Sequence, residues 1–247
     1  MPLREELERQ GNWLFRRRGF FPLLAVPLLV LAFYQYSYPW NNHTLDLILE
    51  MLCLGVSLTG LSIRVYVAGY TPKRTSGRNT VKGQMADSLN TSGMYSLVRH
   101  PLYLGNFLMV LGPLMVFHLW WLVFLYVFLF WLFYERIMFA EEQFLRAKFG
   151  DAYLEWSSRT PAFLPNFKNW RPPDLPFSFR TAVKREYQTL FLVVAAFTAI
   201  EIIGDAKVQG RWVVDPVWLI IFSVTLVFFL VVRILRKKSK ALHVQGR

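Results

Sequence analysis

Residues 91–105 read TSGMYSLVRHPLYLG. A polar turn runs directly into an apolar stretch, and that junction decides how the neighbouring chain folds. Pro101 has no amide hydrogen and holds φ at about −65°, which suits the first turn of a helix. Arg99 and His100 place a fixed charge and a titratable ring just before it. Gly105 leaves the backbone bare one turn later, where another group can come close. Apolar residues continue to Phe117 and resume after His118, so helices are expected over 101–117 and 119–139, joined as a tight hairpin. Gly112-Pro113 should kink the first of them. A basic flank anchoring a membrane helix would also account for Arg99 and His100.

Working outward, the rest of the chain repeats the pattern of apolar runs between basic blocks. Of 247 residues, 54% are hydrophobic and 17% aromatic. Soluble domains usually hold about 45–50% apolar residues. The net charge of +12 sits between the runs rather than within them, as expected beside anionic lipid and not for a nucleic-acid binder. A single cysteine, Cys53, excludes an internal disulfide and a cysteine-based zinc site. No metal-ligating set is expected.

Residues 1–18 are polar and end in three arginines; the next run lacks a small-residue cleavage site and ends in Tyr34, Tyr36, Tyr38 and Trp40. That aromatic belt marks a retained span at about 19–38, bent at Pro22 and Pro27. A second span at 45–69 carries Asp46 and Glu50 near one end and Arg64 near the other. Its Gly55, Ser57, Thr59, Gly60 and Ser62 suit close helix packing, or leave room for a cofactor. The polar loop 70–98 is long enough to be functional. Further spans are expected at 187–204 and 213–233, before a basic tail. The fold class is therefore all-α and integral to the membrane, with about six transmembrane helices.

The fourth helix should continue beyond the membrane as an amphipathic, interfacial helix over 140–157, ended by prolines 161 and 165. Lysine and arginine fall almost wholly in segments 1–18, 70–100, 135–186 and 234–247, with Lys207 and Arg211 on the other side. This bias predicts both termini and the polar site on the cytoplasmic side. The chain divides into a core over 1–186, containing a loop at 71–100, and a C-terminal transmembrane hairpin and tail over 187–247.

Topology brings polar groups together at one end of the 101–139 hairpin. Arg99, His100 and Tyr103 should lie near Arg136, Glu141 and Glu142. Neighbouring helical residues differ by about 100°, so one of the two glutamates can face the interior and the other solvent. A solvated acidic pair on an interfacial helix is the plainer alternative.

RHPLYLG after a TSGMY turn, followed by EEQFLRAKFGDAYLEW and TPAFLP, resembles the isoprenylcysteine carboxyl methyltransferase and phospholipid methyltransferase family. The resemblance covers about 55–165. It implies an S-adenosylmethionine-dependent methyltransferase acting on a lipid or lipidated acceptor, with no nucleic-acid partner. It also implies that Tyr95, His100, Pro101 and Tyr103 face the cofactor, with Gln84 and Leu89 in the same pocket. Arg99, by its charge, and Gly105, by its bare backbone, are counted among the cofactor-binding candidates beside them. Glu141 would hold the cofactor. Arg136, one position away from the family's substrate-binding arginine, would place the acceptor.

The chemistry is consistent with those roles. The cofactor's ammonium needs a carboxylate such as Glu141, and its carboxylate or ribose a donor such as Arg99 or His100. The π-faces of Tyr95 and Tyr103 attract a sulfonium cation. A carboxylate or phosphate acceptor needs only a cation such as Arg136, whereas an amine acceptor needs a base, Glu142 or His100. An NADPH-dependent sterol-type reductase resembles the same region. A non-enzymatic transporter or scaffold is a further alternative, although its ionisable residues would be expected at mid-bilayer.

Overall fold

Asn42 begins the helix against which much of the chain packs: its side-chain oxygen accepts from Leu45 N at 3.1 Å. The computed structural model describes residues 2–19, 25–72, 75, 86–239, 242, 244 and 246. Gln84, Pro22, much of the 71–100 loop and part of the basic tail lie outside these. In chain order the described helices are α1 (Leu3–Arg17), α2 (Val26–Gln35), α3 (His43–Tyr70), α4 (Met94–Leu97), α5 (Pro101–Met115), α6 (Trp120–Phe149), α7 (Asp151–Arg159), α8 (Phe179–Gln209) and α9 (Pro216–Lys238).

Helices α3, α6, α8 and α9 are long and apolar enough to cross a membrane. The 15-residue α5 and 10-residue α2 are apolar but shorter. At about 1.5 Å per residue, α5 falls short of a hydrocarbon core about 30 Å thick. The six expected spans thus become four full-length and two shorter apolar helices among the described residues. Large apolar side chains such as Phe124, Leu219 and Val224 remain exposed on α6 and α9, as lipid-facing surfaces require.

Small residues bring α3 and α5 into close contact. A Cβ added at Gly60 would lie 2.5 Å from the Gly105 carbonyl oxygen, and one at Gly105 would lie 2.8 Å from that of Gly60. The group that approaches Gly105 is therefore a neighbouring helix. Pro113 stays inside α5. It has no amide hydrogen for the carbonyl four residues earlier, at Met109. Ser57 Oγ donates to that carbonyl at 2.9 Å. Of the other hydroxylated residues in α3, Thr59 and Ser62 bond back to their own helix.

Arg64 ties three helices together. It grips both carboxylate oxygens of Glu186 on α8, at 2.9 and 3.0 Å, and reaches Asn106 on α5. Helix α8 begins well before the expected residue 187, because Ser178 caps it through Thr181 N. The hairpin with α9 closes on Asp215, whose carboxylate caps Val217 N at 2.7 Å, with Pro216 in the first turn.

The expected continuous helix over 140–157 is broken. Helix α6 runs to Phe149, Gly150 takes φ +52°, and α7 starts afresh. Glycine accommodates that left-handed backbone without a Cβ clash. The N-terminal segment, read only as polar, forms α1 and lies on α6. Gly11 sits against the Arg136 backbone, and Gln10 accepts from Arg136 Nε at 2.9 Å.

Candidate active site

The segment before Pro101 is held by main-chain hydrogen bonds to the proline-rich strap over 161–171. Arg99 N donates to Pro161 O at 2.8 Å, His100 N to Ala162 O at 3.2 Å, Asn166 N to Leu97 O and Gly93 N to Arg171 O. Trp156 Nε1 donates to Tyr95 O at 3.0 Å. Short-range pattern explains the shape: Gly93 takes φ +57°, α4 makes one turn, and Pro101 starts α5.

This clamp points the basic residues at the acidic pair. His100 Nε2 and Glu142 Oε1 share a 2.9 Å hydrogen bond, and Arg99 Nη1 lies 3.3 Å from Glu142 Oε2. Tyr103 Oη donates to Glu141 Oε2 at 2.8 Å, and His100 Nδ1 lies 3.9 Å from the same oxygen. The His100 and Tyr103 rings stack at 5.5 Å, and Tyr134 lies on Tyr103 at 4.9 Å. Glu141 and His100 are buried.

Of the other expected residues, Tyr95 and Leu89 belong to an apolar cluster with Val67, Leu145, Tyr153 and Trp156. Pro101 is buried at the start of α5. Gly105 lies one turn deeper, against α3. Arg136 is separate: besides Gln10, it bonds its own helix at Leu132 O. It lines a cavity of about 430 Å³ with Arg9, Gln10, Trp13 and Leu14.

Sequence reasoning did not single out Tyr153. It is buried, and burial with the Glu142 charge pushes its phenol well above its usual range, against an opposing pull from Arg99. Tyr153 Oη and Arg99 Nε have no hydrogen-bond partner among the described residues. Two buried donors beside two carboxylates fit a ligand that carries both acceptors and a cation.

The phospholipid methyltransferase family model matches residues 51–152. The chain is 30% identical over 161 residues to the cobalt-zinc-cadmium resistance protein CzcN of Cupriavidus metallidurans, covering 65% of this chain and 69% of that one. It is 31% identical over 117 residues to the protein-S-isoprenylcysteine O-methyltransferase of Schizosaccharomyces pombe, covering 47% and 48%. The chain thus spans about half the length of that enzyme. The nickel-cobalt-cadmium resistance protein NccN of Alcaligenes xylosoxydans xylosoxydans is 26% identical over 161 residues, covering 65% and 70%. No solved structure matches. The matched region contains the whole hairpin, from Pro101 through the paired glutamates, and the chain belongs to the isoprenylcysteine carboxyl methyltransferase and phospholipid methyltransferase family.

Proposed function

We propose that the protein transfers a methyl group from S-adenosylmethionine to a lipid or lipidated acceptor presented from the bilayer. The observation that carries this is the contact of Arg99, His100 and Tyr103 with Glu141 and Glu142 across one hairpin end. Charge complementarity supports it. Glu141 receives the cofactor's ammonium, while Arg99 Nε and Tyr153 Oη donate to its carboxylate or ribose. When bound, S-adenosylmethionine supplies the activated methyl group.

The chain's own work is positioning and exclusion of water. Tyr103 fixes the Glu141 carboxylate, and the His100 ring stacked on Tyr103, with Tyr134 tilted against it, walls that side. Arg136 and Arg9 line a cavity whose other walls include Trp13 and Leu14, which suits an anionic head group with an apolar stem. An ionised carboxylate or phosphate needs no base there. For an amine acceptor, Glu142 takes the proton, held ready by His100. The pocket is assigned to the cytoplasmic side on the charge bias of the loops.

The test is incubation of detergent-solubilised protein with radiolabelled S-adenosylmethionine and total membrane lipid, then mild base. Base-labile label identifies an ester acceptor and base-stable label an amine. No lipid labelling, together with a melting-temperature rise from NADPH but not from S-adenosylmethionine, overturns the proposal.

A further inference from the structure

Five carboxylates and two imidazoles converge at the other end of the bundle. Helix α5 separates this end from the candidate active site: His100 precedes it, and His118 follows it to meet Asp46 at 3.2 Å. Asp46 and Glu50 come from α3, Glu201 and Asp205 from α8, and Asp215 from the start of α9. Asp46, Glu50, Glu201 and Asp205 are each no more than 1% exposed. Among the described residues, no lysine or arginine pairs with any of the five. Negative charge buried without a counter-cation is strongly unfavourable, so something positive must neutralise this cluster.

The donors around the cluster hold the carboxylates but do not use them up. Tyr36 Oη donates to Asp46, Tyr38 Oη and Gln209 to Asp205, and Trp218 Nε1 to Glu50 Oε2. Val217 N occupies Asp215 Oδ1. Two buried oxygens, Glu50 Oε1 and Glu201 Oε2, accept no hydrogen bond among the described residues. These unpartnered atoms are an observation separate from the acidity of the cluster.

His43 supplies the geometry. Its Nε2 lies 3.6 Å from Asp205 Oδ2, 3.9 Å from Glu201 Oε1 and 3.9 Å from Asp215 Oδ2. These separations are too long for hydrogen bonds. They are near the edge of a tetrahedron of ligands, about 3.4 Å when each lies about 2.1 Å from a central ion. Ligand atoms of His43, Glu201 and Asp205 lie within 4.8 Å of one another, and those of Asp46, Glu50 and Glu201 do likewise. Glu201 belongs to both sets. The His43 side chain is 39% exposed, which gives an ion a way in from solvent.

We propose that this end of the bundle binds a divalent transition-metal cation on His43 Nε2 and the carboxylates of Glu201 and Asp205. One imidazole with two carboxylates, leaving a fourth position to water, suits zinc, cobalt or manganese, whereas magnesium favours an octahedral all-oxygen shell with retained water. Tyr38, through Asp205, is a positioning residue, as metal sites commonly require. The ion joins α8 to the start of α3, since each contributes a ligand. This site stands independently of the proposed methyl transfer.

The test uses the full-length, tag-free protein in detergent, stripped with a chelator and titrated with Zn²⁺ by calorimetry and with Co²⁺ by visible absorption. The expected result is saturable Zn²⁺ binding, a higher melting temperature, and the intense d–d bands of tetrahedral cobalt. His43→Gln and Asp205→Asn lose the bands, and Tyr38→Phe weakens Zn²⁺ about 10- to 100-fold while retaining them. Should Asp205→Asn fail to fold, the rim-exposed His43→Gln decides. Absence of saturable Zn²⁺ binding means that protons alone neutralise the cluster and overturns the proposal. Binding unchanged in His43→Gln, or displacement of Co²⁺ by equimolar Mg²⁺, also overturns it.

Discussion

Tyr103 on α5 donates its phenolic hydrogen to Glu141 on α6 across 2.8 Å, joining the two arms of the hairpin at the candidate active site. Glu141→Gln keeps the shape of the side chain but removes the charge offered to an ammonium. Cofactor binding should be lost while the protein still folds; unchanged affinity for S-adenosylmethionine by calorimetry refutes that role. Tyr103→Phe should cost about 1–2 kcal/mol of cofactor binding, because the carboxylate loses the donor that orients it.

Arg136 lies against α1 rather than among the paired glutamates. Arg136→Ala should therefore raise KM for the lipid acceptor more than it changes affinity for S-adenosylmethionine. Equal losses of both would move Arg136 into the cofactor site or the structural frame.

Ser57 satisfies the Met109 carbonyl that Pro113 leaves open. Ser57→Ala should cost about 1–3 kcal/mol, the price of a buried unpaired carbonyl. Adding Pro113→Ala restores a helical N–H to that carbonyl and should recover part of the loss. Denaturant unfolding of the two single variants and the double variant measures the coupling; strict additivity would show that the serine and proline act separately.

Tyr153 should remain protonated throughout the neutral range, because burial and the Glu142 charge oppose its ionisation. A phenol that ionises later in the folded than in the unfolded protein stabilises the fold fully below about pH 10. That contribution is lost as pH rises further. Tyr153→Phe should therefore flatten the alkaline fall in melting temperature and weaken cofactor binding, without moving the pH profile of activity between about pH 6 and 9.

The hairpin was legible because its signals are local. Pro101 marks a helix start, His118 a turn, and the paired glutamates emerge at the same end as Arg99 and His100. What escaped the sequence depends on distant pairings. Nothing around Gly11 announces that it will meet the Arg136 backbone, and the strap's bonds to Arg99 and His100 use main-chain atoms with no side-chain signature. Gly150 stops α6 through its φ, although the apolar spacing continues into α7. Two clues were present but went unread as a pair. Asp46 and Glu50, like Glu201 and Asp205, stand four residues apart and so share one helical face. Only the packing of α8 on α3 sets those two faces together.

Arg136 and Glu141 ride on the same unbroken helix, five residues apart. Along the axis that interval is about 7.5 Å, and backbone hydrogen bonding makes it nearly incompressible. Were the proposed roles to hold, with Arg136 gripping the incoming lipid's anion and Glu141 the donor's amine, α6 would act as a gauge, sorting molecules by the length between their anchor and their nucleophile.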